Sequence, residues 1–158
     1  MNKMKLTAAE FSHIEKVTCR QADSPEWHSI RTGRITASVA HTVLHTNMET
    51  PAPSLMKRVC FPSKVSTSNV PSLIWGKTNE KTAISVFEKK HKNVVMQFPG
   101  LRLHKDFPYI GASPDGLYHC ECHEEDLVMI EVKCPYSKRD TKNVEEACKD
   151  ITFFLMRT

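Results

Sequence analysis

Apolar residues recur at helical spacing near the amino end. In LTAAEFSHIEKVTC, Leu6, Phe11, Ile14 and Val17 predict a short amphipathic helix. The following segment, DSPEWHSIRTGRITAS, is dense in punctuation: Ser24 can cap a helix, Pro25 suits its first turn and Gly33 can close it. TASVAHTVLH predicts a further helix with Thr36 or Ser38 near its amino end. From Thr46 to Ser72 the pattern turns polar and proline-rich around the apolar island LMKRVC. That predicts a long loop carrying one or two helical turns, and such loops are usually lids or links. The clearest helical pattern is SLIWGKTNEKTAISVFEKKH, with Ala83, Ile84 and Phe87 on one stripe and Lys81, Glu88, Lys89 and Lys90 largely off it.

The second half reads differently. NVVMQFPGLRLHKDFPYIGASPDGL alternates short apolar runs with Pro and Gly breaks, which predicts antiparallel strands. LYHC and DLVMIEVKCP predict two strands of a hairpin across an acidic turn, and RDTKNVEEACKDITFFLMRT the start of another helix. Helices mixed with short strands predict an α/β or α+β domain, a mixed sheet flanked by helices.

Composition narrows the class. With 158 residues, 40% hydrophobic and 25% charged, the chain suits one ordinary globular domain. A net charge of +4 is compatible with a polyanionic partner without identifying one. MNKMKLTAAE lacks the apolar core of a secretory leader, and no apolar run approaches the length of a membrane span. Six scattered cysteines without a secretory context are expected as reduced thiols, and the expectation is an intracellular protein. A nuclear location is compatible with the sequence, although no basic cluster marks an import signal.

The chemistry lies in misplaced charges. In LVMIEVK, Glu131 and Lys133 alternate onto one strand face while Val128, Ile130 and Val132 take the other. Leu127 and Met129 make the acid-bearing face apolar as well, which predicts a strand covered on both sides. Charges on a covered face need partners. Asp115 lies in a Pro-Asp-Gly turn, and a hairpin folding back from it could bring Asp115 beside Glu131. Glu80 shares the stripe of Ala83, Ile84 and Phe87. Taken singly, Glu-Val-Lys is more often a solvated ion pair and Asp-Gly only a turn. Together, three acids and a lysine suit a hard divalent cation and metal-assisted phosphodiester hydrolysis.

These residues resemble a known signature. Pro114-Asp115 followed by Glu131-Val132-Lys133 looks like the PD…(D/E)xK nuclease pattern. The words WHSIRTGRITAS, WGKTNEKTAISVFE, ASPDGL and IEVKCPYSKRD are similar, in order, to the lambda-exonuclease-like branch, the YqaJ-type viral recombinases. The resemblance runs from about Trp27 to Asp140. It implies a restriction-endonuclease-like core over 23–158, behind a helical lead-in over 1–22. It further implies 5′ to 3′ resection of double-stranded DNA ends for recombination or repair. By position, Asp115, Glu131 and the Val132 carbonyl would hold two Mg²⁺ ions, with Mn²⁺ as substitute. Glu80 would bind or position the metal-site water, and Lys133 would activate it. Arg31, Ser38, Ser113 and Arg139 match the pocket for the terminal 5′-phosphate. Trp27 is read as packing its helix.

Family members continue into a helix with a Gln-x-Gln element, whereas this chain stops at Thr158. The expectation is a carboxyl-terminally truncated member. The alternative reading is a catalytically impaired fragment acting as a DNA-end-binding or interaction module. The implied partners are double-stranded DNA ends and a single-strand-annealing recombination protein; the family's homotrimer is not expected of so short a chain. In HCECH, alternating residues cannot all face one ion, so His119, Cys120, Cys122 and His123 read as a hairpin end in preference to a zinc site. Lys89, Lys90 and Lys92 read as a solvated helix end.

Overall fold

Thr7 opens the first helix, α1 (Ala8–Val17), in the computed structural model, which describes residues 5–47, 49–62, 69–91, 94–120, 127–141 and 146. The Thr7 hydroxyl accepts from the Glu10 amide at 3.3 Å, and the Glu10 carboxylate accepts from the Thr7 amide at 2.7 Å. This reciprocal cap satisfies donors that a helix end leaves over. Ser24 does the same for α2 (Pro25–Arg31), accepting from the Trp27 amide at 3.3 Å. Gly33, at φ +76°, makes the left-handed turn that sends the chain into strand β1 (Ile35–Thr36). Helix α3 (Ala37–Leu44) follows, with Thr36 at its N-cap position but without a side-chain cap bond. The island LMKRVC falls within α4 (Pro53–Cys60), two turns long.

Chain contacts separate into two compact units: Met1–Val65 with Asn93–Glu131, and Ser66–Lys92 with Val132–Thr158. The first unit carries all the described strands: β1, β2 (Val94–Gln97), β3 (Arg102–Leu103), β4 (Ile110–Ala112), β5 (Gly116–Cys120) and β6 (Val128–Ile130). They form two three-stranded sheets, β1-β4-β3 and β2-β5-β6. In the first sheet β1 runs parallel to β4 while β3 is antiparallel to it. The second sheet is antiparallel throughout. The expected mixture of helices and strands is what forms, with the antiparallel 116–130 hairpin in place.

The expectation for the acid-bearing strand needs correction. Strand β6 ends at Ile130, and among the described residues it pairs only with β5. Val128 and Ile130 are half-buried, whereas Leu127 is 43% and Met129 64% exposed. The alternation is as predicted, but the face shared with Glu131 is the exposed one rather than a covered one. Burial therefore does not force Glu131 and Lys133 to pair.

Packing in the first unit centres on the end of α1. Thr18 and Leu101 are fully buried, with Val39, Leu55 and Leu117 nearly so. The Thr18 hydroxyl donates to the Ile14 carbonyl and accepts from the Leu101 amide, each at 2.6 Å. Gly100 lies so close that a Cβ there would overlap the Glu15 carbonyl oxygen and Thr18 Oγ1.

The second unit is described through α5 (Pro71–Lys90), a helix of 20 residues, and a short turn at Tyr136–Lys138. Trp75 meets Tyr136 edge-on, with ring centroids 6.2 Å apart. Glu80, Ala83, Ile84 and Phe87 are all half-buried, so the predicted stripe exists and the acid is on it. Lys89 and Lys90 are exposed, as expected, while Lys92 and the helix predicted after Asp140 lie largely outside the described residues. Among the described residues no helix is long and apolar enough to cross a membrane, and Cys19, Cys60 and Cys134 form no disulfide with one another.

Two substitutions test the α1 junction. Gly100→Ala should lower stability by about 1–3 kcal/mol, because its clash is with backbone. Thr18→Val keeps the volume but strands the Leu101 amide, and should cost about 1–3 kcal/mol. Chemical denaturation midpoints measure both.

Candidate active site

Helical spacing builds the first half of the site. Trp27 and Arg31 are four residues apart on α2, so the indole and the guanidinium share a face. Arg31 Cζ stands 3.8 Å from the Trp27 ring centroid. Its Nη2 donates to Thr36 Oγ1 at 3.0 Å and to Ser38 Oγ at 3.2 Å. The two hydroxyl oxygens are themselves 3.2 Å apart. On the other side of the indole, Trp27 Nε1 donates to Ser113 Oγ at 2.8 Å. Three of the residues matched to a phosphate pocket, Arg31, Ser38 and Ser113, are thus brought into one network with Trp27 and Thr36 as connectors.

The electrostatics of that network are one-sided. Arg31 is half-buried, and among the described residues its neighbours are hydroxyls and an aromatic ring, with no carboxylate paired to it. Burial alone pushes its pKa down from the ordinary arginine value. A guanidinium keeps its proton regardless. The charge is therefore partly stripped of water and held by neutral groups, an arrangement an incoming anion would stabilise. Arg34, also half-buried, does a different job: its side chain donates to the Pro108 carbonyl at 3.1 Å and to the Ile30 carbonyl, fastening the turn after α2.

The acids lie two residues further along. Ser113, Pro114 and Asp115 carry the chain from β4 in one sheet to β5 in the other. Gly116 is the register partner of Ile130, yet the Asp115 amide also donates to the Ile130 carbonyl, at 3.1 Å. Two successive residues of one strand thus address a single residue of its neighbour, the pattern of a β-bulge, a device that re-aims a side chain. Half-buried Asp115 and exposed Glu131 consequently stand at the same end of the β5–β6 ladder. Gln21 braces this turn. Its Nε2 donates to the Pro114 carbonyl at 2.9 Å and, longer, to the Pro99 carbonyl at 3.4 Å. Gln21 holds φ +46°, a left-handed conformation that costs a non-glycine residue energy.

The remaining candidates belong to the second unit. Glu80 is half-buried on α5, Val132 is half-buried and Lys133 exposed. Arg139 lies over the Tyr136 ring at 4.3 Å, donates to the Tyr136 carbonyl at 3.0 Å and pairs with Asp140 at 3.3 Å. Unlike Arg31, it already has an acid. Among the described residues no group of three or more His, Cys, Asp or Glu side chains is gathered to hold a metal. Of HCECH, His119 and the Cys120 backbone end β5, and the rest lies outside the described residues.

Over residues 26–152 the sequence matches the YqaJ-like viral recombinase domain. The chain belongs to that family. Among solved structures it is similar to one titled "Crystal structure of a SOX-DNA complex", with a TM-score of 0.56 and 16% sequence identity. The match covers 91% of this chain and 30% of that one, and at this identity it establishes likeness of fold alone. No curated protein gives a significant match. The YqaJ-like assignment includes Arg31, Ser38, Ser113, Asp115 and Glu131 within its bounds, and leaves Gln21 outside them.

Sequence reasoning missed Gln21, Thr36 and the linking role of Trp27. The i, i+4 spacing of Trp27 and Arg31 was an available signal; a glutamine in a left-handed turn carries none. Gln21→Asn should separate backbone from bracing, since asparagine tolerates the same φ but is too short to reach Pro114. Amide hydrogen exchange at Asp115 and Gly116 should quicken by about tenfold, the loss of roughly one hydrogen bond. Unchanged exchange would show that Gln21 does not hold this turn.

Proposed function

We propose that this YqaJ-like chain is a metal-dependent deoxyribonuclease that resects double-stranded DNA from a 5′-phosphorylated end, in recombination or repair. The reading rests most on one observation: Ser113 closes the Arg31 pocket through Trp27 and is joined to Asp115 by a single proline. An anion held by Arg31, Thr36 and Ser38 would be held at a fixed chain distance from the carboxylate. Ser113, which closes that network, and the acid then belong to one short turn, and fixed placement is what positioning a phosphodiester requires.

The donor set suits a hard divalent cation. Asp115 and Glu131 supply oxygens from adjoining strands, and the Val132 carbonyl follows directly; Mg²⁺, or Mn²⁺ in its place, favours such ligands. Glu80, on the half-buried stripe of α5, is the proposed further carboxylate. When bound, two such ions supply Lewis acidity toward phosphate oxygens and water. The protein's own part is separate. Arg31 and Ser38 bind the terminal phosphate, Ser113 keeps the indole turned toward the guanidinium, and Arg139 adds a second cation. Lys133 orients the attacking water and steadies charge developing on the phosphate.

A second reading is a DNA-end-binding module that does not cut. It is favoured by the Arg31 network, which Trp27, Thr36, Ser38 and Ser113 assemble within the first unit without drawing on any carboxylate. Purified protein with Mg²⁺ should shorten 5′-phosphorylated linear duplex, and either chelator or Glu131→Ala should abolish this. Arg31→Lys should reduce the preference for 5′-phosphate over 5′-hydroxyl ends by at least about tenfold, since a lysine cannot reproduce the bidentate fork. Metal-independent binding of phosphorylated ends without product would establish the second reading. Cleavage of covalently closed circles would replace end resection with internal cutting.

A further inference from the structure

Ser38 is held by two arginines. Arg31 Nη2 reaches its hydroxyl at 3.2 Å, and Arg58 Nη2 reaches its main-chain carbonyl at 3.0 Å. Arg58 belongs to α4, whose Leu55 is buried while Lys57 and Arg58 face outward. Beside Ser38 these two cations, with Ser54, Phe61 and Pro62, line a cavity of about 380 Å³. That volume lies within the range of small-ligand sites, about 300–1,000 Å³. No described lining residue is acidic. Phe61, ending α4, is 75% exposed, an unusual setting for a phenyl ring on a cation-lined cavity. Hydroxyl and cationic groups recognise a phosphate, and a free aromatic face recognises a base.

From this combination we infer that the α4 cavity binds the nucleotide next to the terminal phosphate, its phosphate on Lys57 and Arg58 and its base stacked on Phe61. The inference rests on the proposed 5′-phosphate pocket at Arg31. Because Ser38 is common to both arginines, the two anion sites are adjacent along the chain of the protein and suit adjacent phosphates along one DNA strand. Stacking is indifferent to base identity, as an enzyme advancing along any sequence needs. Lys57 and Arg58 lie in the last turn of α4, where a helix end favours positive charge.

The test uses a 5′-phosphorylated duplex oligonucleotide whose first three 5′ nucleotides are unpaired, with 2-aminopurine as the second, and Ca²⁺ in place of Mg²⁺ to prevent cleavage. Binding to the unmodified chain should quench the probe. Phe61→Leu should leave it bright and weaken binding by about tenfold. The double variant Lys57→Gln/Arg58→Gln should reduce the slope of log affinity against log salt by about 0.7, the loss of the one single-strand phosphate contact that the two cations share. A bright probe on the unmodified chain, quenching that survives Phe61→Leu, or an unchanged salt slope would each overturn the inference. The same titrations with a 5′-hydroxyl end separate the two ideas. Phosphate dependence without quenching defeats the α4 site alone, whereas loss of phosphate dependence defeats the Arg31 pocket and this site with it.

Discussion

Three residues, Ser113, Pro114 and Asp115, have to satisfy several demands at once as the chain leaves one sheet and enters another. The serine accepts from an indole in α2, the proline carbonyl accepts from Gln21, and the aspartate amide donates to the carbonyl of Ile130, the register partner of Gly116. None of these contacts is strong alone. Their common effect is to hold the passage at several points, with an acid at one end and the Trp27 indole at the other. The helices contribute by anchoring it. Helix α1 buries Thr18 against Leu101, and the turn after it delivers Gln21; helix α2 delivers Trp27 and Arg31.

Much of this was legible beforehand, for identifiable reasons. Ser24, Pro25 and Gly33 act through local backbone preference, which a sequence displays directly, and the helix they predict is α2. The α5 stripe obeys helical periodicity, and Glu80 lies on it. The hairpin of β5 and β6 follows from alternation. What alternation cannot reveal is how many neighbours a strand has. LVMIEVK reads the same in a covered strand as at an edge, and here Met129 and Glu131 share an open face. The Ser38 partnership with Arg31 was legible only as a family pattern and that of Thr36 not at all, because β1 depends on pairing with β4, about seventy-five residues away.

Membership of the YqaJ-like family and the geometry of the first unit bear on different parts of the functional question. The family narrows the chemistry to nucleases and recombinases. The structure adds the arrangement of one network: which hydroxyls touch the Arg31 guanidinium, and which aromatic ring it lies over. It also distinguishes two arginines that the sequence presents alike. Arg31 has neutral company, while Arg139 is paired with Asp140, so equal contributions from the two are not to be expected.

The neutral company of Arg31 also bears on how the protein behaves between encounters. A cation partly removed from water, with no counter-ion among its described neighbours, makes the unliganded fold less stable than it would be with the charge matched. Any tetrahedral oxyanion that settles there adds to the free energy of folding by mass action. Ordinary phosphate or sulfate in a storage buffer should then raise the melting temperature in a dose-dependent way, and a preparation in chloride alone should be the more fragile one.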